Sequence, residues 1–145
     1  MITLIDALIK KDLITKENVE DAKIKQVGAK KPLHELLVEM EFLSEEDLIQ
    51  TASEVYKMPI VNLSEERIEE VVFKEIPSDK AKQYGVFPLR YESGSLLLAM
   101  SNPQDIIAID HLSMLVSGKI KPVLARKSEI NSFIERYYLL DDSVY

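Results

Sequence analysis

The chain has 145 residues, enough to bury the core of one compact domain or of two small ones. Its formal net charge of -7 argues against a nonspecific nucleic-acid binder, and its lack of cysteine excludes disulfides and thiolate metal sites. It has no run of about 18 apolar residues that would span a membrane, and its start, MITLIDALIKKDL, carries acidic residues unlike a signal peptide. We therefore expect a cytoplasmic protein.

The first part of the chain contains one segment twice. Residues 4–26 align with the chain from Leu33 onward at an offset of about 29 residues. The aligned pairs include Leu4 with Leu33, Leu8 with Leu37, Ile9 with Val38, Ile14 with Leu43, Thr15 with Ser44, Glu17 with Glu46 and Val19 with Leu48. A repeat of this kind indicates that one structural unit was duplicated.

Each copy predicts two helices joined by a tight corner. Thr15 and Ser44 follow an apolar run and can accept hydrogen bonds from the free backbone N–H groups of the second helix. Apolar residues on both sides of each cap form a hydrophobic staple. The first helices, roughly 4–11 and 33–41, are too short to be stable alone, so we expect the copies to pack on each other as a four-helix unit. The predicted inward residues are Leu4, Leu8, Ile14, Val19, Ala22, Leu33, Leu37, Leu43, Leu48 and Ala52.

The helical pattern breaks after the second copy. Residues 58–63, which include Pro59, look extended and form a predicted linker. Ser64 is then expected to open a helix with apolar residues at helical spacing on one side and glutamates on the other. Ser78 caps a further short helix, which ends where Gly85 provides a left-handed stop.

A β-hairpin is predicted next. Residues 86–91 and 96–100 are strand candidates, and residues 92–95 have the composition of a turn. Pro88 suits an edge strand or a bulge, because proline cannot donate a hydrogen bond to a neighbouring strand.

The rest of the chain predicts a helix, a strand and a last helix. Asn102 and Pro103 read as the N-cap and first residue of a helix that stops at Gly118, and its two apolar stripes suggest burial against a sheet. A third strand covers residues 120–125, and Ser128 caps the last helix.

The predicted architecture is therefore α+β with an all-helical first part. We predict a helical repeat subdomain over residues 1–57, a linker over 58–63 and an α/β subdomain over 64–138. Residues 139–145 have no packing period and are predicted to form a C-terminal linker or tail.

Residues that would support chemistry are sparse. His34 and His111 are the only histidines and lie in different predicted subdomains, so we predict no metal site. No spacing supports a catalytic residue or a cofactor site. Ile2, Ile5 and Ile9 form a second apolar stripe on the first helix. Packing of this stripe against the C-terminal part is one interpretation, and a partner-binding surface is the other.

Several segments together resemble a known family. The doubled helix–corner pattern, MPIVNL, the run from AKQYGVFPL through AMSNPQD to KPVLA, and a closing ERYY resemble the N-terminal domain of the assembly ATPases of type II secretion and type IV pili. The resemblance covers residues 4–138. It implies a noncatalytic cytoplasmic domain that docks a motor, in the full-length protein a C-terminal hexameric ATPase domain, on the cytoplasmic part of an inner-membrane platform protein. The chain has no G-x-x-x-x-G-K loop followed by serine or threonine, so we expect it neither to bind nor to hydrolyse ATP.

Some relatives bind cyclic di-GMP through the same doubled pattern, with R-L-G opening each copy, a glycine before the corner and a glutamine near the end. The matching positions here hold Thr3 and Pro32 for the arginines, Ile5 and His34 for the first glycines, Asp12 and Glu41 for the second glycines, and Gln26 and Val55 for the glutamines. Carboxylates beside an anionic ligand oppose binding, so we predict no cyclic di-GMP binding. A cyclic di-GMP sensor is the alternative function, and a stand-alone enzyme is a third, for which no residues are found.

Overall fold

The structure is a computed structural model that describes residues 2–142. Within this range the chain forms seven α-helices, two short 3-10 helices and a three-stranded sheet, which confirms the predicted α+β class. Its contacts divide it into two compact units, Met1–Met58 and Pro59–Tyr145. The first unit is helical, and the second contains the sheet. Among the described helices, none is long and apolar enough to cross a lipid bilayer.

Four helices make up the first unit: α1 Leu4–Lys10, α2 Lys16–Gln26, α3 Leu33–Glu39 and α4 Glu45–Tyr56. Helix α1 packs on α4, and α2 packs on α3. The first helix of each copy therefore packs on the second helix of the other copy, an arrangement that we call the exchanged pairing. It accounts for the stability of α1 and α3, which are only seven residues long and would be marginal alone in water.

The core of the first unit largely follows the predicted inward face. Leu33 and Leu48 are exceptions, because they are only half-buried, whereas Leu36 and Ile49 are buried. Both exceptions lie in the second copy. The repeat predicts which residue types are apolar, but the partner helix decides which of them turn inward. The predicted residues that are buried are Leu4, Leu8, Ile14, Val19, Ala22, Leu37, Leu43 and Ala52.

The second unit is built on a mixed sheet. Strand β1, Val86–Glu92, pairs antiparallel with β2, Ser95–Met100, and β3, Lys119–Leu124, pairs parallel with β2. The order β1-β2-β3 puts β1 at an edge, and its register shifts between Pro88 and Arg90. These pairings confirm the predicted hairpin and the edge position of the proline. Proline suits this position because it has no N–H to donate to a neighbouring strand.

Three helices pack around this sheet. Helix α5 spans Ser78–Tyr84, α6 spans Ile106–Ser113 and α7 spans Lys127–Asp142. Helix α7 packs on β1 and β2, and α5 packs on α7 and β1. Helix α6 lies in the connection from β2 to β3 and packs on β3, as a crossover between parallel strands requires.

Aromatic rings fill the space between α7 and the sheet. The ring centroid of Phe87 on β1 lies 5.6 Å from those of Phe73 and Phe133. Tyr138 is buried beside them, and its hydroxyl donates to the carbonyl oxygen of Ile76 at 2.7 Å. This hydrogen bond satisfies the polar end of a side chain that otherwise contributes apolar area to the core.

The predicted helix from Ser64 is wrong. The structure has two 3-10 helices instead, Leu63–Glu65 and Glu70–Lys74, with extended backbone between them. In that segment the Glu69 N–H donates to the Leu89 carbonyl oxygen at 2.8 Å. Strand β1 thus supplies hydrogen bonds that a continuous helix would make internally, and glutamates at helical spacing would repel one another in such a helix.

Helix α6 begins later than predicted. Asp105, not Asn102, is the N-cap, and its carboxylate accepts a backbone N–H of the first turn at 3.1 Å. The helix also ends before Gly118. Ile106 and Ile107 are 64% and 68% exposed, so the second apolar stripe is not buried as predicted. Only one side of this short helix meets the sheet.

Parts of the segments predicted as linker and tail have defined backbone structure. Within residues 58–63, the Val61 N–H donates to the carbonyl oxygen of Leu124 at 2.8 Å. This part of the segment is therefore held beside β3. The predicted tail is helical as far as Asp142, the last residue of α7, and residues 143–145 lie outside the described part of the chain.

Candidate functional site

The first corner, at the end of α1, is closed by two backbone hydrogen bonds. The Asp12 N–H donates to the carbonyl oxygen of Ile9, and the Leu13 N–H donates to that of Leu8, each at 3.0 Å. Asp12 has a φ of 60°. A left-handed residue with these two bonds is a Schellman helix end, which satisfies carbonyl groups that the helix would otherwise leave free.

The second corner, at the end of α3, has the same hydrogen bonds. The Glu41 N–H donates to Val38, and the Phe42 N–H donates to Leu37, again each at 3.0 Å. Glu41 has a φ of 64°. Each donor and acceptor is the counterpart, in the aligned repeat, of one in the first corner. The structure therefore confirms that the duplicated sequence encodes a duplicated corner.

Both predicted N-caps are present, but they differ. The Thr15 hydroxyl accepts from the Asn18 N–H at 3.0 Å, and the Asn18 side chain accepts from the Thr15 N–H at 3.0 Å. These reciprocal bonds form a capping box at the start of α2. At the start of α4, the Ser44 hydroxyl accepts from the Asp47 N–H at 3.1 Å. The first corner therefore leads into the more completely capped helix.

Both corners place a carboxylate where the backbone favours glycine. Asp12 and Glu41 are exposed, and the sequence pattern matched both to glycines of the cyclic di-GMP motif. A left-handed conformation costs an ordinary L-residue roughly 1–2 kcal/mol, although aspartate tolerates it better than glutamate. Each corner therefore carries a negative charge at a strained backbone position.

Other positions of the dinucleotide pattern have local structural roles. Thr3 caps α1 by accepting from the Asp6 N–H at 3.1 Å, whereas Pro32 precedes α3 without a side-chain cap bond. The Gln26 amide donates to the Lys31 carbonyl oxygen at 3.1 Å and so holds the loop between α2 and α3. Neither Thr3 nor Pro32 can supply the positive charge that an arginine would bring to a phosphate.

The predicted partner-binding residues lie on and just before α1. Helix α1 buries Leu4 and Leu8. Ile2 is 45% exposed, and Ile5 and Ile9 are half-buried. Ile5 and Ile9 are one turn apart and therefore lie on one face of the helix. The fold thus leaves apolar surface partly exposed on and just before the seven-residue helix α1.

A polar contact joins α1 to α4 across the exchanged pairing. The Lys11 ammonium donates to the Thr51 hydroxyl at 3.3 Å and to the Glu54 carboxylate at 3.0 Å. Thr51 is fully buried, and its hydroxyl donates to the Asp47 carbonyl oxygen at 2.8 Å. No local sequence pattern predicts this contact, because Lys11 and Thr51 are 40 residues apart.

A shallow cleft of about 430 Å³ lies at the second corner, and we call it the corner cleft. It combines apolar side chains with acidic ones. Of the apolar group Leu43 is buried, and the others are half-buried. The lining residues are Leu13, Val38, Phe42 and Leu43, which are apolar, and Glu41, Ser44, Glu45 and Asp47, which are polar.

Sequence reasoning missed the corner cleft because it treated the lining residues separately. Leu43 was predicted as core, and Glu41 was noted only as a departure from the dinucleotide motif. Leu13 comes from the other copy, so the cleft needs the fold to bring it together. The available signal was the cluster of acids around Phe42 in the second copy, which the first copy lacks.

The two histidines lie in different units. His34 is half-buried on α3 in the first unit, and His111 lies in the second unit, with its Nδ1 2.6 Å from the Tyr84 hydroxyl. Among the side chains that the structure describes, those of residues 2–138, no group of three or more His, Asp or Glu is arranged to hold a metal ion.

Two groups with shifted pKa values, Tyr56 and Glu75, do not line the corner cleft. Burial raises the pKa of the Tyr56 hydroxyl. Burial also opposes ionisation of Glu75, but hydrogen bonds from Tyr91 and from the side chain and N–H of Ser117 outweigh it and lower the pKa of this carboxyl. The Ser117 N–H donates to Glu75 at 2.9 Å. These shifts accompany local hydrogen bonding and burial, and they do not identify an acid–base site.

Comparison with known sequences gives one family and several relatives. The family model described as the MshEN domain matches residues 56–144. The type IV pilus assembly ATPase PilB of Myxococcus xanthus is 29% identical over 133 residues, which cover 92% of this chain and 24% of that protein. The PilB of Thermus thermophilus is 31% identical over 111 residues, which cover 73% of this chain and 12% of that protein. The chain therefore spans a minor part of both relatives.

Solved structures share the fold. The N-terminal domain of XpsE superposes with a TM-score of 0.81 at 24% identity and covers 93% of both chains. A second structure of the same domain has a TM-score of 0.65 at 26% identity. The structure of MshE with cdg has a TM-score of 0.75 at 22% identity and covers 95% of this chain and 100% of that one.

Proposed function

Because this chain belongs to the MshEN domain family, as an N-terminal domain of the type II secretion and type IV pilus assembly ATPases, we propose that it is a noncatalytic docking and regulatory domain. In the full-length protein it couples a C-terminal hexameric ATPase domain to the cytoplasmic part of an inner-membrane platform protein. We place it in the cytoplasm, associated with the membrane through that partner.

The observation that carries this proposal is the partly exposed apolar surface of α1. Ile2, Ile5 and Ile9 keep apolar area accessible, while Leu4 and Leu8 anchor the helix in its own unit. Apolar residues on one face of a helix are a common means of binding a partner protein. A short helix that is anchored by a few buried residues can present its remaining apolar face to a partner protein, which would cover it.

A pull-down against the cytoplasmic part of a platform protein tests this proposal. We expect Ile5→Asp and Ile9→Asp to weaken retention at least about tenfold, because a charge would have to lose its water at an apolar interface. The matched control is Ile24→Asp on α2, where the side chain is 74% exposed and retention should not change.

Folding is checked separately by the melting temperature. Since Ile5 and Ile9 are half-buried, Ile2→Asp provides a variant outside α1 at a side chain that is 45% exposed. If all three variants bind as well as the unchanged chain, the docking surface is not on α1. If Ile5→Asp and Ile9→Asp unfold the chain and Ile2→Asp binds normally, these residues are core.

A cyclic di-GMP sensor is the second candidate, which the fold shared with MshE, solved with cdg, favours. Against it, Thr3 and Pro32 replace the arginines, and Asp12 and Glu41 add negative charge beside a ligand with two phosphates. We expect calorimetric titration with cyclic di-GMP to show no binding at micromolar concentration. A micromolar or tighter constant would establish the sensor instead.

A further inference from the structure

The floor of the corner cleft is apolar and incompletely covered. Leu13, Val38 and Phe42 are half-buried, although large apolar side chains in the core of this unit are almost completely buried. Covering such a floor with another apolar group removes it from water and is favourable. The cleft therefore has room and apolar surface for a side chain from another molecule.

The rim of the corner cleft is negatively charged. Glu41, Glu45 and Asp47 line it, and none of the described lining residues is a lysine, an arginine or a histidine. Within the described part of the chain, Glu41 and Asp47 form no ion pair. Two lysines of this unit pair with other carboxylates, Lys11 with Glu54 and Lys31 with Glu39. The negative charges of Glu41 and Asp47 are therefore not neutralised by an ion pair within the described part of the unit.

The corner does not require these acids. Carboxylates in the first turn of a helix are favoured by the helix dipole, which could explain Glu45 and Asp47 without any partner. In the first copy, however, the aligned residues are Lys16 and Asn18, and that corner has the same backbone hydrogen bonds. The acidic rim is thus a property of the second corner alone.

We propose that the corner cleft docks a segment of a protein partner that carries an apolar side chain flanked by lysine or arginine. The apolar side chain covers Leu13, Val38 and Phe42, and the cationic groups meet Glu41 and Asp47. Lysine and arginine suit this site because their aliphatic stems pack on apolar surface while their charged ends reach a carboxylate. The inference rests on the proposed docking function and names the chemistry of one partner segment.

Other occupants fit the corner cleft less well. A phosphate-bearing ligand would meet carboxylates at the rim. A second copy of this chain would bring its own net charge of -7, so it offers poor charge complementarity. A metal ion fits poorly, because no group of three or more His, Asp or Glu side chains in the described part of the chain is arranged to hold one.

The test uses the 145-residue chain and a short, fluorescently labelled, amidated peptide of leucine and lysine at helical spacing. Fluorescence anisotropy measures its binding to the unchanged chain and to the double variant Glu41→Gln with Asp47→Asn. The matched control is Asp12→Asn with Glu17→Gln. It removes two exposed carboxylates of the first corner, one at the position equivalent to Glu41 and one in the first turn of α2. Two further peptides replace lysine with glutamate or leucine with serine.

We expect the double variant at the cleft to bind the leucine–lysine peptide about tenfold more weakly, and the first-corner variant to lose less than about twofold. Both altered peptides should bind more weakly than the original. Equal losses in the two double variants would show diffuse attraction to an acidic chain and overturn the proposal. It would also be overturned if the serine peptide bound as well as the leucine peptide.

The result is separable from that of the platform pull-down. Failure of the leucine–lysine peptide to bind, together with normal retention of the platform protein, overturns the cleft proposal and leaves the docking function standing. Peptide binding that depends on Glu41 and Asp47, together with no retention of the platform protein, supports the cleft and overturns the docking function as stated.

Discussion

In the first corner, Asp12 is followed by a capping box of Thr15 and Asn18, whereas in the second corner Glu41 is followed by a single cap from Ser44. The backbone hydrogen bonds of the two corners are nevertheless the same. The apolar and capping positions fix the geometry, and the residues between them are free to change. Duplication thus preserved a scaffold, and the second corner carries an acidic, partly apolar cleft.

The largest expected effect tests whether the two copies are one cooperative unit. Leu8 and Leu37 are aligned and fully buried, so Leu8→Ala and Leu37→Ala should each cost about 2–5 kcal/mol of unfolding free energy. Because of the exchanged pairing, each change should destabilise both copies together. Urea unfolding followed by circular dichroism measures the loss, and Ile24→Ala at an exposed site is the control that should change little.

A different outcome would separate the copies. If Leu37→Ala produced a second transition in which the first copy stayed folded, the exchanged pairing would not set the cooperativity of the unit. Site-specific probes on α2 and α4 would show which copy unfolds first.

A smaller effect distinguishes the two caps. Thr15→Ala and Ser44→Ala should each cost about 0.5–2 kcal/mol, because each removes one side-chain acceptor, whereas Thr15→Ala with Asn18→Ala removes both bonds of the capping box and should cost more than Ser44→Ala. Thermal unfolding measures both. Asn18→Ala alone should remove only the bond donated by the Thr15 N–H. A larger loss at Ser44 than at Thr15 would mean that the second corner depends more on its cap.

The smallest expected effect is a gain, not a loss, in the free energy of unfolding. Glu41→Gly and Asp12→Gly should each stabilise the chain by about 0.5–1 kcal/mol, because glycine adopts a positive φ without the steric cost. The gain should be larger at Glu41, since aspartate tolerates the left-handed region better than glutamate. Glu20→Gly, in the middle of α2, should instead destabilise by about 1 kcal/mol. Destabilisation at Glu41 would show that its side chain contributes more than its backbone costs.

Signals that act over a few residues were readable from the sequence. Thr15 and Ser44 cap helices because a hydroxyl beside free N–H groups needs no distant partner. The hairpin and the edge position of Pro88 follow from turn residues and from the missing N–H. Asp12 and Glu41 match glycines of the family motif, and both have a positive φ, the backbone conformation that glycine adopts most readily.

Features that depend on distant neighbours were not readable. The helix expected from Ser64 is lost to hydrogen bonds with β1, and Leu36 rather than Leu33 turns inward because of the helix that packs on α3. The corner cleft takes Leu13 from one copy and its acids from the other. None of these follows from a pattern within one segment.

The exchanged pairing also constrains how the chain can be made. During synthesis α1 emerges first, but its packing partner α4 is translated last among the four helices of this unit. Helix α1 must therefore wait for this packing partner until α4 has left the ribosome. A nascent chain that pauses within the second copy would leave the apolar face of α1 exposed to chaperones. The timing of translation should therefore affect how this unit folds.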